Sequence, residues 1–362
     1  MGRNLGRGAP ARYTPPVLHT PMRRILHILL ALSMLLAACS ASPPRAPAEA
    51  QEQPLVIHST AIPLQLDNPD ATTVGRLVWR GGVSLTANSG NFGGWSDLYV
   101  APDGRSLYAI SDVGGWLSAE IRFDSRGHLA GLGPARLGQL RGLDAKPLAS
   151  KQEADAEALA RLPDGSWLVG FEQRHRIWRY PAGDEAQGLG LAGTPIPVEG
   201  PPQLQRQPAN GGLEAMTALR DGSVVMLSEE YSETAGTTMG WIGAPSGNSF
   251  RWQSFNYSSI PDFRVTAIAT LPDGSFVTLE RAFDLVRGVR VRVMRFAALD
   301  LVAGGTVRAE ELAFLAVPYA VDNLEGIYAT RGSRGETLLW LLSDDNFNRA
   351  QRTILLLFEL QP

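Results

Sequence analysis

E-A-L-A-R-L-P-D-G-S-W-L-V-G-F-E (157–172) holds two short apolar runs around Pro-Asp-Gly, with a glutamate at each end. Two runs of strand length around a tight turn read as a β-hairpin, because Gly supplies the positive φ that such a turn needs. The pattern recurs along the chain. It reads S-D-L-Y-V-A-P-D-G-R-S-L-Y-A-I-S-D (96–112), E-A-M-T-A-L-R-D-G-S-V-V-M-L-S-E (214–229), T-A-I-A-T-L-P-D-G-S-F-V-T-L-E-R (266–281) and E-G-I-Y-A-T-R-G-S-R-G-E-T-L-L-W-L-L-S-D (325–344). Aligned on Leu98, Leu159, Met216, Ile268 and Ile327, the copies stand 61, 57, 52 and 59 residues apart.

Each period leaves room for a second pair of strands, and R-I-W-R-Y (176–180) and V-R-V-M-R-F (291–296) read as third strands. A four-stranded unit repeated at this spacing is a propeller blade. Residues 74–87 and 352–360 are left over. Together they read as a sixth blade, so the expected fold is an all-β, six-bladed propeller closed by pairing N- and C-terminal strands. Composition agrees: 38 Gly and 25 Pro in 362 residues interrupt any helix bundle, and 19% charge with 44% hydrophobic residues excludes a disordered chain.

The first residues read as an address. Met22-Arg23-Arg24 precedes an apolar run at 25–38, too short for a comfortable membrane span, which ends in Leu36-Ala37-Ala38-Cys39. That is a bacterial lipobox holding the chain's single cysteine, so Cys39 is the expected lipidation site and the membrane attachment. Residues 1–21 read as an extended n-region or an upstream start. The expected division is a signal peptide at 1–39, a Pro/Ala-rich tether at 40–70 and the propeller at 71–362. With Ser40 rather than Asp after the cysteine, the expected place is the outer membrane, facing the periplasm. Removing the leader turns a net charge of −3 into an acidic mature chain. No basic run with interleaved aromatics follows it, which argues against nucleic-acid binding. The expected protein is a monomer.

The repeat also aligns the acids. Ser96, Glu157, Glu214, Thr266 and Glu325 precede the aligned apolar position by two residues. Ser111, Glu172, Glu229, Arg281 and Asp344 stand at the end of the second strand. In a propeller both columns reach one mouth of the central channel. Crowded carboxylates raise one another's pKa unless a cation neutralises them. A hard ion such as Ca²⁺, which takes about six to eight oxygens, is the expected cofactor. Its candidate ligands are Asp97, Glu157, Glu214, Asn323, Glu325 and Asp344. Glu172 and Glu229 are candidate bases, Arg281 and Arg174 candidate charge stabilisers, and His175 a further candidate base. No G-x-S-x-G elbow or His-x-x-x-His spacing is present.

F-G-G-W-S-D-L, S-D-V-G-G-W, D-A-E-A-L, N-G-G-L-E-A-M, L-P-D-G-S-F-V-T-L-E-R and D-N-L-E-G-I, in this order, resemble the bacterial phytase-like family described as having esterase-like activity of phytase. The resemblance covers about residues 74–360 and implies an exported, propeller-like protein that hydrolyses phosphate or carboxylate esters. A lysine-rich phosphate site like that of the calcium-dependent propeller phytases is hard to build here, because Lys146 and Lys151 are the only lysines. Two functions follow as expectations: a metal-assisted hydrolase of small phosphoesters or simple esters, or a non-catalytic propeller that binds a ligand or partner at the same mouth.

Overall fold

A computed structural model of the chain describes residues 53–183 and 190–362, besides Met1. The lipobox, with Cys39, and the tether up to residue 52 lie outside the described residues. Residues 53–61, grouped above with the tether, form the strands Gln53–Leu55 and Ile57–Ala61.

The strands make five sheets, each a blade. From the channel outward, blade I holds Trp95–Val100, Ser106–Ser111, Gly115–Phe123 and Leu129–Gln139. Blade II holds Ala156–Arg161, Trp167–Phe171, Arg176–Tyr180 and Ile196–Val198. Blade III holds Leu213–Ala218, Val224–Ser228, Thr237–Ser246 and Ser249–Ser258. Blade IV holds Arg264–Thr270, Phe276–Asp284, Gly288–Phe296 and Glu310–Ala316. Blade V holds Leu324–Arg331, Thr337–Ser343, Thr353–Leu360 and Leu77–Ala87. The innermost strands neighbour one another in sequence around the ring, and that of blade V returns to blade I.

The expected sixth blade is corrected here. The two leftover segments do pair, Leu77–Ala87 against Thr353–Leu360. They form the outer strands of blade V, because Thr353–Leu360 also pairs with Thr337–Ser343. Five repeats therefore make five blades, and the closure by both termini holds. Ile57–Ala61, Gln53–Leu55 and the short Thr306–Val307 cover the outer edges of blades V, I and III. Covered edges remove templates for intermolecular pairing.

Five apolar clusters fill the five blade interfaces. A blade is thus buried on both faces, which is why its second strand reads as an unbroken apolar run rather than an alternating one. Trp167–Phe171 is buried at every residue. Each large side chain so buried contributes roughly 1.5–3 kcal/mol.

In blades II and IV the first turn is built by a small device. Asp164 accepts the amide of Ser166 at 3.0 Å and its hydroxyl at 2.6 Å, and also pairs with Arg179, whose Nε donates to the same hydroxyl at 2.8 Å. Gly165 follows at φ +82°. Asp273, Ser275 and Arg295 repeat this network, with Gly274 at φ +87°.

Candidate active site

At the other end of the innermost strands, the ladder slips by one residue in every blade. The residue left out of register is Ser96, Glu157, Glu214, Thr266 or Glu325. Each is a β-bulge, and a bulge re-aims its extra side chain. The first column of the repeat is therefore a ring of bulged residues at one channel mouth. Below it, Leu98, Leu159, Met216, Ile268 and Ile327 are buried to within 3% exposure and form an apolar belt across the channel.

The carboxyl groups of Glu157, Glu214 and Glu325 act on one another and on the second column. Burial pushes Glu214 well above the ordinary carboxylate range, and Glu157, Glu229, Glu172 and Glu325 push it further. Glu157 is raised by burial and then by Asp155 and Asp112. Asp344 is raised by burial, Asp112 and Glu325. Glu172 is raised by burial, although its carboxylate accepts the amides of Gly211 and Gly212 and a hydrogen bond joins it to Glu214. Burial raises Glu229 to about 7; the opposing pull of Arg281 comes second, and the carboxylates of Glu325, Glu230 and Glu172 add to the rise.

Two cations enter this cluster. Arg281 Nη2 lies 3.0 Å from Glu325 Oε1, and Asn323 hydrogen bonds to the same carboxyl. Burial would lower Arg281, but Glu325, Glu229 and Glu214 outweigh it. Arg281 Nε and Glu325 Oε2 are both buried without a hydrogen-bond partner. Lys151 is the second cation. Its Nζ donates to the backbone oxygen and the Oδ2 of Asp112, each at 2.8 Å, and to Asp155. Burial opposes its charge, but Asp112, Asp155 and Glu157 hold it protonated. Gln173 Nε2 donates to Asp155 Oδ2 at 2.7 Å.

The mouth thus gathers Glu157, Glu172, Glu214, Glu229, Arg281, Asn323, Glu325 and Asp344 from the sequence expectation. Three expected residues fall elsewhere. Asp97 follows the bulged Ser96, so the extra residue turns it away from the mouth. Its buried carboxylate accepts the amides of Leu98 and Leu159, each at 2.8 Å. Arg174 is exposed on the flank of blade II and pairs with Glu153 at 2.8 Å. His175 is buried with Nε2 2.8 Å from the carbonyl oxygen of Pro208, and its ring packs against Gly212 and Glu172. It backs the mouth rather than facing it.

Asp112, Lys151, Asp155 and Gln173 were not among the expected site residues. The signal for the lysine was its place four residues before Asp155, where a short helix, Lys151–Ala154, brings the two together. Asp345, beside Asp344, instead pins the Gly-rich approach to blade I by accepting the Gly94 amide at 3.1 Å.

Asp155, Glu157 and Glu172 can each offer a carboxylate oxygen within 4.8 Å of the others, so this buried acidic cluster could hold a metal. An all-oxygen donor set suits a hard cation.

Several solved structures are similar to this chain. One is an α-L-arabinofuranosidase from Podospora anserina in complex with cellotriose, 13% identical, covering 80% of this chain and 98% of its own, with a TM-score of 0.48. Another is an endo-arabinase from Bacteroides thetaiotaomicron, 8% identical, covering 81% and 98%, with a TM-score of 0.45. A putative gluconolactonase is 12% identical over 88% and 99%, with a TM-score of 0.40. Among curated proteins, no significant match was found. The profile of one family, described as esterase-like activity of phytase, matches residues 90–347, the span that carries all five innermost hairpins and both columns of the mouth. The chain belongs to this phytase-like family.

Proposed function

We propose that this propeller is a metal-assisted hydrolase of small phosphoesters or simple esters, working at the acidic mouth. The observation that carries the reading is Glu229, raised to about 7, near the partly exposed guanidinium of Arg281. A carboxyl group with a pKa near neutrality is suited to general acid–base work. Glu229 takes the proton of the attacking water and returns it to the leaving oxygen as the ester bond breaks, and the partly exposed guanidinium of Arg281 stabilises the oxygen on which charge develops. Glu325 holds the Arg281 guanidinium in place. Asp155, Glu157 and Glu172 would hold the cation, with Ca²⁺ as the ion proposed. A bound divalent cation supplies water of lowered pKa and polarises an ester oxygen. The same cation offsets the repulsion that so many carboxylates would exert on an anionic phosphoester.

The test uses the full chain with 4-nitrophenyl acetate and 4-nitrophenyl phosphate, with and without EDTA. Hydrolysis of one ester, lost with EDTA and reduced about 100-fold or more in kcat by Glu229→Gln, is the expected result. Failure to hydrolyse either ester, or full activity in Glu229→Gln, overturns it.

A second reading is a non-catalytic propeller binding a ligand or partner at the same mouth. It is favoured by Lys151, whose ammonium already bridges Asp112 and Asp155. In either reading the chain is a monomer, anchored in the outer membrane through lipidated Cys39 and facing the periplasm. Mass spectrometry of a Cys39-containing peptide, and release of Cys39→Ala from membranes, test that anchor.

A further inference from the structure

Beyond the apolar belt, the far ends of the same strands enclose a second cavity of about 330 Å³. Arg161, Arg220 and Arg331, from blades II, III and V, line it. The Arg161 guanidinium stacks on Trp167 at 4.1 Å from the ring centroid, which fixes its plane. Arg331 Nη1 donates to the carbonyl of Gly335 at 3.2 Å, and Arg220 is exposed and has no ion pair among the described residues.

Among the described residues no ion pair cancels the charge of Arg220 or Arg331. Asp97 is the single acidic residue lining the cavity. Burial holds its carboxyl well above the ordinary range, against the two amides it accepts. The turn aspartates at this end are engaged in their own turns: Asp103, Asp164, Asp221 and Asp273 each accept an amide two residues on. None of them lines the cavity.

We propose that this chamber binds a small organic anion, its carboxylate or phosphorus oxyanion held by Arg220 and Arg331 and its apolar body resting on the belt. Planar guanidinium groups match either oxyanion in a bidentate manner, and the volume is that of a small-molecule site. The belt separates this site from the acidic mouth, so it stands apart from the hydrolase reading.

Calorimetric titration of the full chain at low ionic strength, with benzoate, phenylphosphonate (a P–C bonded anion with no ester to hydrolyse) and neutral benzamide, tests the proposal. Binding of benzoate or phenylphosphonate is expected, and the preferred one identifies the head group. Arg220→Gln with Arg331→Gln should weaken that binding at least about tenfold; both side chains are exposed, so the fold is retained. Glu229→Gln should leave it unchanged, so failure of the hydrolase reading is a separate result. Three outcomes overturn the proposal: benzamide binding as tightly as the anions, the double variant binding as the parent does, or neither anion binding at about 10 mM.

Discussion

Blades II and IV are alike at one end and opposite at the other. At the turn, Asp164–Ser166–Arg179 and Asp273–Ser275–Arg295 form the same hydrogen-bonded network. At the mouth, blade II presents Glu157 and Glu172, whereas blade IV presents Thr266 and Arg281 at the equivalent positions. The turn decides whether the hairpin forms, and every blade needs that. The bulged mouth positions lie outside the regular ladder and are free to differ, whereas Arg281 sits within the ladder, opposite Arg264 and Val291, and gives blade IV the cation that the other blades' carboxylates require.

The largest effect expected from breaking this contrast comes at position 281. Arg281→Gln leaves Glu325 buried without its cation and should cost about 3–5 kcal/mol in urea unfolding. Glu172→Gln, at the equivalent position of blade II, removes one of several like charges and should be neutral or stabilising. Equal losses in the two variants would show that the blades are interchangeable at the mouth.

A somewhat smaller effect tests the cation. Ca²⁺ at about 100 times its Kd should stabilise the parent by about 2.7 kcal/mol. Glu157→Gln should abolish that gain, seen as a melting temperature indifferent to Ca²⁺.

The pH dependence follows from Glu229, which shifts from 4.5 to about 7 on folding. Across that interval the folded chain keeps a proton that the unfolded chain releases, so stability falls as pH rises from about 4.5 to 7. Melting temperatures recorded through this range without divalent ions should show the decline, with a shallower slope in Glu229→Gln. An unchanged slope would remove Glu229 from the coupled group.

The smallest effect lies at the turns. Asp164→Ala and Asp273→Ala should each cost about 1 kcal/mol, and the same amount, because the two networks are the same. A clear difference between them in chemical denaturation would break the likeness at that end.

Much of this was legible in the sequence because the determinants are local. Paired apolar runs around a Gly-containing turn, Asp-Gly in four of the five, marked all the innermost hairpins, and their alignment placed Glu157, Glu214 and Glu325 in one column. The blade count was not legible, because Leu77–Ala87 has no sequence neighbour in blade V and its pairing with Thr353–Leu360 spans nearly the whole chain. Asp97 was misplaced because a bulge at Ser96 shifts which side chain faces the mouth, and alternation along a strand does not reveal a bulge. Lys151 entered the sequence reading only as one of two lysines too few for a phosphate site, yet it folds back onto Asp112. His175 was a candidate base because it follows a mouth residue in sequence, but it is buried against Gly212 with Nε2 on the Pro208 carbonyl oxygen.

The bulges have an evolutionary consequence. A residue outside the hydrogen-bonded ladder can be exchanged without moving any strand past its partner. The propeller therefore carries five variable sites around one opening, linked to one another by charge but not by strand register, on a scaffold whose folding information lies elsewhere. Saturating those five positions together would yield many well-folded proteins with altered mouths, and this architecture should tolerate such a library better than any five positions of its blade interfaces.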